Sequence, residues 1–89
     1  MLESAIEKTV TSKAQKDGWI SYKWCSTSQR GVPDRLFFKK GVLKIIEFKT
    51  WGKKPTELQD YIHSKLRSNG FEVHVIDNVE DGLKLLNVT

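Results

Sequence analysis

The sequence predicts an α/β domain with element order αβββαβα, a mixed four-stranded sheet flanked by helices. Three observations predict it. Apolar residues recur every four positions in two segments, Leu2, Ile6, Val10 and Ala14 in the first and Leu58, Ile62 and Leu66 in the second, which is the spacing of one helix face. Four short stretches rich in aromatic and β-branched residues carry the strand signature. Lys40-Gly41 separates two of these stretches as a two-residue hairpin turn, whereas a helix-length segment separates the last two, room enough for a crossover to a parallel neighbour.

The elements follow in order. Glu3 to Lys16 is predicted as a helix, with Lys13 and Lys16 in its last turn and Asp17-Gly18 as its stop. Trp19 to Cys25 is aromatic and strand-like, and Ser26 to Gly31 is a polar loop. Pro33 to Lys39 is the second strand, with proline at its tolerated first position. Val42 to Thr50 is the most apolar strand, and Trp51 to Lys54 is a basic loop. Thr56 caps the next helix and Gln59 lies three residues on, in capping-box spacing. Asn69-Gly70 ends that helix, Phe71 to Ile76 forms a fourth strand, and Asn78 caps a short last helix carrying Leu83, Leu85 and Leu86.

With 89 residues and no repeat or linker, residues 1–89 are expected to form one domain. Hydrophobic residues at 38% and charged residues at 29% exclude a disordered or membrane-spanning chain. Met1 is followed at once by acidic and polar residues, so no signal peptide is expected. The lone Cys25 cannot form an internal disulfide and fits an intracellular, reducing setting, cytoplasmic or virus-encoded in a host cell. A net charge of +4 is compatible with a polyanionic partner. Its placement says more, because Arg30, Arg35, Lys39-Lys40 and Lys49 to Lys54 surround the residues that carry the chemistry.

Those residues lie on two adjacent strands. Side chains alternate along Val42 to Thr50, so Leu43, Ile45, Glu47 and Lys49 share one face. A carboxylate and an ammonium in so apolar a strand are costly unless paired or bound to a metal. If Lys40-Gly41 is the turn, residues pair on a register summing to about 81, since it centres on those two positions, and Asp34 lies opposite Glu47, with Cβ atoms roughly 4.5–5.5 Å apart. Two neighbouring carboxylates favour a divalent cation, and hard oxygen donors suit Mg²⁺ or Mn²⁺. The competing account, a structural Glu47–Lys49 ion pair, explains neither this register nor Gly31 and Pro33.

Gly31-Val32-Pro33-Asp34 followed by Glu47-Phe48-Lys49 resembles the G-x-P-D…E-x-K signature of the virus-type replication-repair (VRR-Nuc) branch of the PD-(D/E)XK nucleases. Leu58-Gln59 and Gly70-Phe71-Glu72-Val73 match that branch as well. The resemblance implies a restriction-endonuclease-like αβββαβ core and phosphodiester hydrolysis with Mg²⁺ or Mn²⁺. It implies that Asp34, Glu47 and the backbone carbonyl of Phe48 hold the metal. Lys49 would orient the attacking water and stabilise charge on the phosphate. Gln59 would reach the metal–water cluster or, alternatively, serve only the capping box.

The family also places a glutamate on the first helix, here Glu3 or Glu7. At 100° per residue, Glu3 lies roughly 40° and Glu7 roughly 80° from the apolar stripe, which favours Glu3. Arg30, Arg35, Lys53 and Lys54 are candidate phosphate contacts, and Trp51 could stack on a base or sugar. His63 and His74 lack metal-ligand spacing and are expected at surface or strand positions. The resemblance further implies a DNA substrate, branched or duplex, with four-way junctions foremost. It also implies a homodimer, no membrane and no small-molecule cofactor. A restriction-type nuclease on duplex DNA and a non-catalytic DNA-binding module with the same fold are the rival readings.

Overall fold

The computed structural model describes the whole chain, Met1–Thr89. The elements are α1 (Glu3–Lys16), β1 (Ile20–Lys23), β2 (Arg35–Lys39), β3 (Val42–Phe48), α2 (Glu57–Ser68), β4 (Val73–Ile76) and α3 (Val79–Leu85). This is the predicted order, with β1 shortened at both ends and each other strand at one. The sheet runs β1-β2-β3-β4, antiparallel through the first three strands and parallel between β3 and β4. No helix is long and apolar enough to cross a membrane.

The hairpin register is the one the turn predicts. Arg35 pairs with Ile46 and Lys39 with Val42. Between them, Lys40 and Gly41 both adopt positive φ, 48° and 80°, the combination a tight two-residue hairpin requires. Just beyond the ladder, the Asp34 amide donates to the Ile46 carbonyl at 3.1 Å. This bond joins Asp34 to Ile46 and not to Glu47, so the strict pairing of Asp34 with Glu47 expected from the turn slips by one residue at the end of the ladder.

The central strand β3 buries both faces at its end, which is why it is so apolar. Ile46 and Phe48 point into the main core with Ile6, Val10, Ala14, Trp19, Phe37, Ile76 and Leu86, beneath α1 and α3. Burying each large side chain there contributes about 1.5–3 kcal/mol. The indole of Trp19 donates to the Leu86 carbonyl at 3.0 Å, tying the start of the sheet to the chain end. Leu2, expected in the apolar stripe, is instead exposed at the helix N-cap, because the stripe's inward face begins one turn later at Ile6.

Ile45 and Glu47 take the opposite face of β3, where α2 covers them with Ile62 and His63. The predicted capping box fixes the start of α2. The Gln59 amide donates to Thr56 Oγ1 at 3.2 Å, and the Thr56 amide donates to Gln59 Oε1 at 3.0 Å. Gly31 seats the preceding loop on this helix. Its φ is +87°, and a Cβ there would stand 2.9 Å from Leu58 Cγ. Glycine alone permits both that backbone and that approach. The buried Pro33 then leads into Asp34.

Candidate active site at the end of the central strand

Asp34 and Glu47 meet where β2 begins and β3 ends. The Phe48 amide donates to Asp34 Oδ2 at 2.7 Å, which locks the aspartate against the neighbouring strand. Glu47 is 2% exposed, and its pKa is raised from 4.5 to about 8. Burial is the main cause, followed by the charge of Asp34, with Lys49 opposing both. A divalent cation beside Glu47 would favour its ionised form, and the hard oxygen donors of Asp34 and Glu47 fit Mg²⁺ or Mn²⁺.

Three side chains frame Glu47. Lys49 Nζ lies 3.8 Å from Oε2, on the same side of the strand as the pattern requires. Gln59 Nε2 donates to Oε2 at 3.4 Å while Gln59 Oε1 accepts from Thr56. The capping-box role of Gln59 is thus filled, and its amide nitrogen remains free to reach Glu47, because an amide offers a donor and an acceptor at separate ends. The third is His63, whose Nε2 lies 3.7 Å from Oε1. The expectation of a surface or strand position for His63 is wrong, since its side chain is fully buried. Burial and then the Arg67 charge hold its pKa below the ordinary histidine value. One sequence signal could have found it: His63 follows Gln59 by four residues, one helical turn on the same face. His74, by contrast, does sit on β4 and bonds Glu72 at 3.2 Å.

The first helix divides its two glutamates. Glu3 is exposed at the start of α1, yet its charge contributes to raising the Glu47 pKa. It does not close a cluster of three acidic, histidine or cysteine donors with Asp34 and Glu47. Glu7 is not brought to the pair. Its Oε2 accepts from Arg35 Nε at 2.7 Å and lies 3.8 Å from Lys23 Nζ. Arg35 must accordingly be reassigned from a free phosphate contact to a structural partner. It pairs with Ile46, so it projects to the α1 face, and it also reaches Ser21 Oγ at 3.3 Å. A polar groove of about 380 Å³ runs there, lined by Glu7, Lys8, Thr11, Lys23 and Arg35 among others, and it includes neither Asp34 nor Glu47.

The remaining basic and aromatic candidates are exposed. Trp51, Lys53 and Lys54 follow β3 directly, and Arg30 lies in the loop before Asp34. The Trp51 loop is held in place, because the Gly52 amide donates to Asp77 Oδ2 at 3.0 Å. That bond, with one from Asn78, keeps the Asp77 carboxyl below the usual range.

Comparison with known proteins bears on the fold and the family. No family model matches the sequence. The chain is 42% identical over 77 residues to "Putative nuclease p44" of Acyrthosiphon pisum secondary endosymbiont phage 1, covering 85% of this chain and 83% of that protein. A solved structure described as a VRR_NUC domain superposes with a TM-score of 0.86 at 25% identity, covering 96% of this chain and 94% of its own. With the Asp34–Glu47–Lys49 cluster standing at the end of the central strand of that fold, the chain belongs to the VRR-Nuc family.

Proposed function

We propose that this protein is a Mg²⁺- or Mn²⁺-dependent endodeoxyribonuclease that acts as a homodimer on branched DNA, four-way junctions foremost. The observation that carries this reading is the buried Glu47 beside Asp34 at the strand ends, with the Lys49 ammonium 3.8 Å from the Glu47 carboxylate. Asp34 and Glu47 would hold the cation, the Phe48 carbonyl and Glu3 completing its surroundings from the strand end and from α1. When bound, the cation supplies Lewis-acid activation of water and offsets phosphate charge.

The chain's own residues do the rest. Lys49, whose side chain is 14% exposed, orients the attacking water and stabilises the charge that develops on the phosphoryl oxygens as the phosphodiester bond breaks. Gln59 holds Oε2 of Glu47 in place. Arg30, Lys53 and Lys54 contact backbone phosphates, and exposed Trp51 stacks against a base or sugar. Recognition by backbone and shape suits branched substrates. Ile20 and Tyr22 on β1 expose apolar surface of the kind subunits bury. An intracellular site of action suits the free Cys25 thiol.

A panel of linear, flap and four-way DNA substrates, each with Mg²⁺, Mn²⁺ or chelator, tests the reading. Cation-dependent cleavage strongest on the four-way junction is the expected result. Cleavage that persists in chelator refutes the metal dependence, and equal rates on linear duplex refute the branched preference. Sedimentation of a monomer at micromolar concentration refutes the dimer.

A further inference from the structure

His63 is the one buried group at the site without a role in the chemistry above. Its side chain is fully buried, and neither ring nitrogen has a hydrogen-bond partner. Across from it, Glu47 Oε1 is also buried and also unpartnered. The two unpartnered atoms, Nε2 and Oε1, stand 3.7 Å apart, outside hydrogen-bond range but within a small carboxylate rotation of it. The other carboxylate oxygen, Oε2, faces Lys49 and Gln59.

We propose that His63 is a positioning residue for Glu47, donating from Nε2–H to Oε1 and so fixing the rotation of the carboxylate that presents to the cation. The proposal rests on the metal-site reading above and extends it to a residue on α2. A neutral imidazole carries one N–H, on either nitrogen. Nδ1 lacks a partner whichever tautomer forms, so the carboxylate decides between them. Nε2–H facing an ionised Oε1 is attractive, and a lone pair there is repulsive. Such outer partners set the orientation of a ligand, and their loss typically weakens metal affinity about 10–100-fold.

Mn²⁺ affinity measured by calorimetry on the full chain tests this in three forms: wild type, His63→Phe and His63→Gln. Phenylalanine fills the cavity without a donor, and glutamine restores an Nε2 donor. We expect His63→Phe to weaken Mn²⁺ binding about 10-fold or more and His63→Gln to recover most of it, with the two metal-free variants melting alike. Undiminished binding in His63→Phe, or no recovery in His63→Gln, overturns the assignment. A second measurement needs no variant to fold. ¹⁵N–¹H correlation spectra of the histidine rings in wild-type protein at pH 9.5, where Glu47 is ionised with or without a cation, should show the Nε2–H tautomer for His63. The Nδ1–H tautomer overturns the proposal. Wild-type protein that binds no Mn²⁺ refutes the metal site instead, while the tautomer still decides the positioning role.

Discussion

Replacing Glu47 with glutamine tests the electrostatics of the site directly. The folded carboxyl titrates near 8, against 4.5 for an unperturbed one. At pH 6 the folded chain holds this proton and the unfolded chain has released it. Folding therefore takes up nearly one proton, and stability falls by about 1.36 kcal/mol per pH unit until the folded group ionises near 8. Between pH 6 and pH 8 the metal-free wild type should lose roughly 2 kcal/mol from this group alone. In a domain of this size that is about 10 °C in Tm. Glutamine mimics the protonated carboxyl and cannot ionise. Glu47→Gln should therefore lead wild type by roughly 2 kcal/mol at pH 6 and by roughly 4 kcal/mol at pH 8, the gap widening by roughly 2 kcal/mol between them.

Thermal unfolding of both proteins in chelator at the two pH values reads the effect. Comparing the two proteins cancels every group they share. Adding Mn²⁺ at pH 8 should then raise the Tm of wild type and leave the variant where it was, since a bound ligand stabilises only the state that holds it. Parallel Tm-against-pH curves for the two proteins refute the reasoning, because they would mean that Glu47 is ionised throughout.

Lys49→Ala removes the ammonium beside Glu47. It should lower the cleavage rate about 10²-fold or more while DNA affinity in a binding titration changes less than about 3-fold, since many phosphate contacts share that affinity; unchanged cleavage would refute the role given to Lys49. Gly31→Ala forces a side chain onto a φ of +87° and against Leu58 at 2.9 Å. It should destabilise by about 1–3 kcal/mol in denaturant unfolding and slow cleavage by displacing Asp34. Arg35→Ala leaves Glu7, whose side chain is 14% exposed, without its 2.7 Å partner. The expected outcome is a loss of about 1–3 kcal/mol in stability with DNA affinity unchanged at fixed salt, the reverse of the effect of a phosphate contact.

Sequence by itself determined the order of elements, the hairpin and the gathering of Asp34, Glu47 and Lys49 at one end of the sheet. Those features depend on local rules: a two-residue turn fixes a register, and strand alternation then puts Glu47 and Lys49 on one side with Asp34 near the end of the neighbouring strand. The capping box of α2 was legible for the same reason, since both its bonds span three residues. Only the tertiary structure decided what came from other elements. Whether Glu7 faced the acids or Arg35 depended on which side of the sheet α1 covers, and helical periodicity gives a face without saying what meets it. The burial of His63 against Glu47 likewise needed α2 laid across the end of β3, because a histidine on a helix carries no local mark of the carboxylate it will meet. The raised pKa of Glu47 follows from that same enclosure, since desolvation is a property of the assembled site and not of any segment.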